Sequence, residues 1–250
     1  MVYSEKIVFK LTELYPAIDE IIDANESKIG QLHGKELLDL YCQLHGFYRL
    51  KAVGALLLEL DTMQYVACLK KSGQLRISVL TSSKEECNKY LKISQSNGFF
   101  DLLSINDLDS AKKVTNTWVN KWCNKFEYEE DYLYILLLYQ ILNQASDEKN
   151  NKLILNLESL LEGEEWVKLE VCKTILNSDT PAFNDKFEQL LVLRELELEK
   201  QEKSLSRDEI DFLSGSNVYT EGIALLNLAR DRGISIKEEY LYCPREALLV

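Results

Sequence analysis

Residues Asn217–Pro244 read NVYTEGIALLNLARDRGISIKEEYLYCP, and how this stretch is read decides the fold class. Its apolar residues Val218, Leu225, Leu226 and Ala229 recur at spacings of three, four and seven, which gathers them on one face of a helix. Gly222 and Ala229 keep that face shallow, so a neighbouring helix can come close. Ser216 or Asn217 is placed to cap the start. Gly233, after Arg230 and Arg232, predicts the stop, with cations against the negative end of the helix dipole. The rest, from Ile234, reads as a short extended tail that includes Tyr240, and Pro244 opens a last turn, PREALLV. Nothing in the stretch is a catalytic motif.

Working outward, the same period dominates the chain. Ile7, Leu11, Leu14, Ile18, Ile21 and Ile22 keep helical spacing across Pro16, which predicts two helical pieces or one bent one. A long helical region runs from Lys35 to Leu60, with Gly46 and Gly54 either weakening it or allowing close contact. The segments 64–69 and 75–80 are apolar and rich in β-branched residues and flank Lys70-Lys71-Ser72-Gly73-Gln74, so a small β-hairpin is expected over residues 64–80. A capped helix is expected from Lys84, carrying Cys87, Tyr90 and Leu91 and ending at Asn97-Gly98, followed by an apolar loop over residues 99–103. Further helices are expected from Asp107 to about Cys123, burying Trp118 and Trp122, and from Glu129 to Ala145. After a polar connector at Ser146–Asn151, two shorter ones follow, at 153–161 and 164–176. Asp179-Thr180-Pro181 then starts a helix reaching about Lys203, and Ser206–Glu209 restarts a short one ending at Ser214-Gly215. Helix after helix with short connectors predicts a mainly α protein: an array or bundle of antiparallel helical hairpins with one small β-hairpin. One domain over residues 1–250 is expected, with residues 1–60 a candidate N-terminal sub-region.

Composition bounds the function. The chain has 250 residues, 46% hydrophobic and 28% charged, which is ordinary for a globular protein. The longest apolar runs fall far short of the roughly 20 residues of a membrane span. Met1 to Lys10 alternates charge and apolar residues without the apolar core of a signal peptide, so a cytoplasmic protein is expected. The 41 acidic against 29 basic side chains leave a net charge of −12, which repels nucleic acid and anionic membranes and steers a basic partner inward. The same balance also serves solubility alone.

Chemistry-bearing motifs are absent. Six scattered cysteines form no CxxC pair and read as small core residues, and His33 and His45 have no zinc-like spacing around them. No GxGxxG, GxxxxGK[ST], HExxH or GxSxG occurs. No metal, cofactor or catalytic activity is therefore expected. Carboxylates cluster at Glu127-Tyr128-Glu129-Glu130-Asp131, at Glu162-Gly163-Glu164-Glu165-Trp166, and at Glu195, Glu197 and Glu199. Solvated surface and helix-dipole placement explain them most simply. The sharper reading is that Glu127, Glu129, Glu130, Asp131, Glu164 and Glu165, beside Tyr128 and Trp166, form a recognition surface. Aromatic anchors within a charged rim are what an interface uses.

The run Tyr219-Thr220-Glu221-Gly222-Ile223-Ala224-Leu225-Leu226, then Leu228-Ala229, Gly233-Ile234, Tyr240 and Cys243-Pro244, resembles the closing signature of the immunity-49 family of polymorphic-toxin immunity proteins. Asp185, Phe187, Leu190, Leu191 and Arg194 sit where that family carries its preceding long helix. The resemblance is clearest in the last quarter and extends from about Leu37. It implies a predominantly α-helical protein that binds and neutralises a secreted toxin encoded beside it, often a nuclease, and it assigns Glu221, Gly222, Leu225, Leu226, Ala229, Gly233, Tyr240 and Pro244 structural roles. The expected partner is thus a cognate, basic toxin domain, occluded at its active site. The alternative is a helical-repeat scaffold binding a peptide or cellular protein, which a groove lined by Asn, Arg and Tyr would favour.

Overall fold

The computed structural model describes residues 5–82, 89–117, 122–203 and 210–249. In chain order α1 spans Glu5–Leu14, α2 Ile18–Glu26, α3 Gly34–Gly54, α4 Thr62–Ser82, α5 Asn97–Ser104, α6 Leu108–Thr117 and α7 Glu129–Leu142. The chain continues with α8 at Asp147–Leu160, α9 at Val167–Leu176, α10 at Thr180–Glu202, α11 at Ile210–Ser216, α12 at Thr220–Asp231 and α13 at Arg245–Leu248. Mainly helical architecture is as expected. Pro16 sits in a 3₁₀ turn, Tyr15–Ala17, that joins α1 to α2. Asp179 caps α10 as expected, its Oδ1 accepting from the Ala182 N–H at 3.1 Å with Pro181 in the first turn.

The β-hairpin is not formed: residues 64–80 are the middle of α4, and no strand occurs among the described residues. The buried positions of α4 are Tyr65, Cys68, Leu69, Ser72, Gly73, Leu75, Arg76, Val79 and Leu80, which is helical spacing. The period is hidden because Ser72 and Arg76, both polar, occupy the inward stripe, while Lys70, Lys71 and Gln74 of the supposed turn face solvent. Gly73 marks a helix crossing and not a turn. A Cβ there would lie 2.3 Å from Leu102 Cγ, and one at Gly98 would lie 2.5 Å from Arg76 Cβ. α4 and α5 meet at bare backbone.

That crossing corrects a second expectation. Residues 99–103 are the body of α5, not a loop, and Gly98 to Ser104 are all buried. A helix buried all round, its Asp101 and Ser104 included, sits at the centre of the protein. The segment 89–96 forms turns instead of the expected helix, with Arg76 donating to the carbonyls of Tyr90 at 2.6 Å and Lys92 at 3.0 Å. Lys84 and Cys87, Trp118, and the expected restart at Ser206–Glu209 lie outside the described residues. The expected connector Ser146–Asn151 forms the beginning of α8, and α9 starts at Val167, three residues late.

α3 and α4 pair antiparallel: Leu38 packs with Val79, and His45 meets Ser72. A π-helical turn, Ala55–Glu59, and the left-handed Leu60 link them. Inside this pair lies a buried polar network. Arg49 Nε donates to Asp101 Oδ1 at 3.1 Å, Ser72 Oγ donates to Asp101 Oδ2 at 2.6 Å, and Arg49 Nη2 donates to Thr220 Oγ1 at 3.2 Å. The Ser72 oxygen, its proton committed, sits 2.7 Å from His45 Nδ1 and accepts from that N–H. Burial pushes the His45 imidazole below its ordinary value, against the pull of Asp101. Four helices are joined through one ion pair, α3, α4 and α5 at Asp101 and α12 at Arg49.

α12 docks on α5, where Asn227 Nδ2 donates to the carbonyls of Leu103 and Ser104 and so satisfies the end of that helix. Its own end is a Schellman motif: Gly233 at φ +77° donates to Arg230 O, and Ile234 donates to Ala229 O. The start lacks the expected side-chain cap. Tyr219 is the N-cap residue, and Ser216 belongs to α11. The contiguous apolar core runs from Leu11 to Leu248. Replacing Gly73 by Ala is predicted to lower unfolding free energy in urea by about 1–3 kcal/mol through overpacking against Leu102. Gly30→Ala, with nothing within 4 Å of the new Cβ, should stay within about 0.5 kcal/mol of the parent.

Candidate functional site

The first acidic cluster begins with a carboxylate turned inward. Glu127 is buried, and its oxygens accept from the backbone N–H groups of Ser94 at 2.9 Å and Cys123 at 3.1 Å. Two amides on one carboxylate fix the connection between the 89–96 turns and the 122–128 loop. Trp122 adds to the brace, its indole N–H donating to Glu127 O at 3.1 Å. The brace holds the loop so that Tyr128 is 73% exposed and Phe126 44%. Trp122, expected in the core of a longer α6, lies beyond that helix at 36% exposure.

Directly after the aromatic loop, Glu129, Glu130 and Asp131 fill the first turn of α7, where the helix dipole favours negative charge. All three are half-buried. Burial raises the Asp131 carboxyl above its ordinary value, and Glu130 and Glu221 push the same way against Lys168. One turn further in, Tyr134 packs edge-on against Trp166 with ring centroids 5.4 Å apart. The structure thus brings Trp166 of the second cluster to the flank of α7.

A partly buried pair fastens this junction to α12. Lys168 Nζ lies 2.9 Å from Glu221 Oε1, the Tyr134 hydroxyl donates to the same oxygen at 2.9 Å, and Lys168 sits 5.1 Å from the Tyr134 ring centroid. Burial works against the Glu221 charge, but Lys168 and the Tyr134 hydroxyl outweigh it and hold the carboxyl below its ordinary range. Elsewhere on α12 and the tail, Leu225, Leu226 and Ala229 are fully buried, Gly222 leaves room for Tyr219 and Cys243, and Pro244 is the N-cap residue of α13. Tyr240 packs edge-on to Phe187 at 5.0 Å and donates to Asn184 Oδ1, strapping the tail to α10.

Glu164 and Glu165 are exposed in the connection between α8 and α9. With Glu158, Glu170 and Lys173 they line an open groove of about 400 Å³. Glu165 accepts from Lys186 at 2.6 Å, and Lys173 bridges Glu158 and Glu170. α7 and the second cluster meet at Trp166, which packs on Tyr134, and Lys168 of α9 pulls on the Asp131 carboxyl. The third, Glu195, Glu197 and Glu199, lies on the solvent side of α10, where Glu197 is 3.8 Å from Arg194.

The described residues hold no group of three or more His, Cys, Asp or Glu placed to ligate a metal, and no helix long and apolar enough to cross a membrane. Cys68, Cys123, Cys172 and Cys243 are buried, and burial pushes the Cys68 thiol up to about 11. His45 meets Ser72 and Asp101, yet the serine proton is directed to the aspartate and the hydroxyl is fully buried. That order braces helices and leaves no free nucleophile.

The family model described as Immunity protein 49 matches residues 35–247, and the chain belongs to that family. No curated protein and no solved structure matches it. Membership carries the coarse function with it: an immunity protein binds a cognate toxin.

Phe126 and Trp122 are the surface aromatics that sequence reasoning missed. A signal existed for Phe126, which with Tyr128 follows the polar Asn124-Lys125 between two helices, but Trp122 keeps the i+4 spacing of Val114 and Trp118 and so reads as core. Replacing Glu221 by Gln leaves Lys168 without its charge partner and is predicted to lower stability at pH 7 by about 1.5–3 kcal/mol in urea titration. Because the folded carboxyl is held low, the parent's advantage is present above the ordinary Glu value of 4.5. It should vanish as pH falls through the still lower folded value.

Proposed function

We propose that the protein neutralises its toxin by binding, through the edge that carries the aromatic loop 122–128, the first turn of α7, and Glu164–Trp166. The observation that carries this reading is the braced loop: a buried Glu127 spends its charge on two backbone amides and leaves Tyr128 and Phe126 in solvent beside Glu129, Glu130 and Asp131. Exposed aromatics held rigidly lose little entropy on docking, and the neighbouring carboxylates speed encounter with a cationic surface. The partner is a toxin domain with a basic face, a nuclease cleft being the simplest source of one. Covering that cleft inhibits without any chemistry by the immunity protein.

A peptide-binding scaffold gains less support. Arg49, Asn97, Arg194 and Tyr219 do line a common cleft, but it holds about 120 Å³ and is also faced by Asp211 and Glu221. Ligand clefts commonly need about 300 Å³ or more.

Co-expression with the toxin domain encoded immediately upstream should rescue the host and yield a complex that co-purifies. Glu129→Lys, Glu130→Lys and Glu165→Lys together should slow association at low salt by about tenfold or more, with helix content unchanged by circular dichroism. Rescue without a complex would contradict inhibition by binding, and unchanged association rates would remove these clusters from the interface.

A further inference from the structure

Outside the proposed edge, α10 turns an apolar ridge to solvent. Val192, Leu193 and Leu196 are 56%, 43% and 48% exposed, while the opposite side of the helix buries Phe183, Phe187, Leu190, Leu191 and Leu198 in the core. The ridge borders an open groove of about 420 Å³ that Val167 of α9 closes on one side. At about 100° per residue, Asp185 and Glu199 lie at the two ends of the ridge, and Glu195 lies along one flank with Glu188, which already pairs with Lys237. The other flank carries Lys186, already paired with Glu165, together with Lys200 and with Glu197, which lies 3.8 Å from Arg194. Three large aliphatic chains within two turns of one helix are a contiguous apolar patch, and such patches mark interaction sites.

The rim selects the occupant. A second copy of this chain would bring the same acidic flank and a net charge of −12 against it. A cationic amphipathic helix answers both features, laying apolar side chains at i, i+3 and i+4 between Val167 and Leu196 while its basic flank meets Glu195 and Glu199. We infer that the α9–α10 groove is a docking site for a cationic amphipathic helix of the toxin partner. For the partner's identity, though not for its chemistry, the inference rests on the toxin-binding reading. It predicts a second area of contact, on α10, beside the α7 edge.

The test uses the full chain with methyl-labelled Val and Leu, and a synthetic peptide of about 18 residues, or about five helical turns, with Leu along one face and Lys on both flanks. The Lys-flanked peptide should shift the methyl resonances of Val192, Leu193 and Leu196, and the same peptide flanked by Glu should not. The triple variant Val192→Ser, Leu193→Ser, Leu196→Ser, altered only at exposed positions, should bind the Lys-flanked peptide about tenfold more weakly or worse and bind the toxin domain more weakly too. Shifts elsewhere on the protein, equal binding of both peptides, or undiminished peptide binding by the variant would overturn the inference. A parent that is dimeric by light scattering and becomes monomeric in the variant would also overturn it, assigning the ridge to a second copy. Failure of the toxin domain to bind the parent would end the toxin-binding reading alone, and the peptide result would still decide the chemistry of the groove.

Discussion

The fold depends on one carboxylate that has no access to water. Asp101, at zero exposure on the central helix α5, accepts from Arg49 on α3 and Ser72 on α4, and Arg49 goes on to Thr220 at the start of α12. A carboxylate so placed is tolerated only where it is paired and hydrogen-bonded, as both oxygens are here, and breaking a buried pair on one side costs about 3–5 kcal/mol. That constraint fixes the mutual positions of four helices. Gly73 and Gly98 allow the approach, because α4 and α5 could not close on Asp101 with side chains at their crossing. The Schellman end of α12 then turns the tail back, so that Tyr240 straps α10 to the same body.

From this body the proposed interface follows by a short physical path. α12 presents Glu221, which anchors Lys168 and Tyr134, and Tyr134 seats Trp166 against α7. The first turn of α7 and the loop before it are therefore held from below by α12 and from the side by Glu127. Rigid placement matters because exposed aromatic side chains contribute to binding only if little motion is lost on docking. The acidic excess acts over a longer range, on encounter rate, and is screened beyond about 8–10 Å at physiological salt.

Much of the helical content was legible because apolar spacing speaks for itself where the inward stripe is apolar. Asp179-Thr180-Pro181 starts a helix, Gly233 stops one, and Pro16 breaks one, each for the reason its chemistry dictates. The misread elements share a cause. In α4 the buried stripe contains Ser72 and Arg76, so an apolar count sees two short β-like runs around a gap, and the partners that fill the gap, Asp101 and the carbonyls of Tyr90 and Lys92, are distant in sequence. In α5 burial on every side, Asp101 and Ser104 included, leaves no solvent face to mark the helix, and eight residues are too few to show the period. At the candidate site the acidic residues were visible from composition, but the inward turn of Glu127 was not, since a carboxylate spent on backbone amides reads the same in sequence as one facing solvent.

Amide hydrogen exchange of the protein with and without its bound toxin domain tests the central claim most directly, because it reports contact along the whole chain at once. The account predicts slowed exchange over residues 122–131 and 163–168, with the Asp101-centred helices α3, α4 and α5 unchanged. Protection confined to the α3–α4 connection, around the exposed Leu60 and Met63, would contradict it.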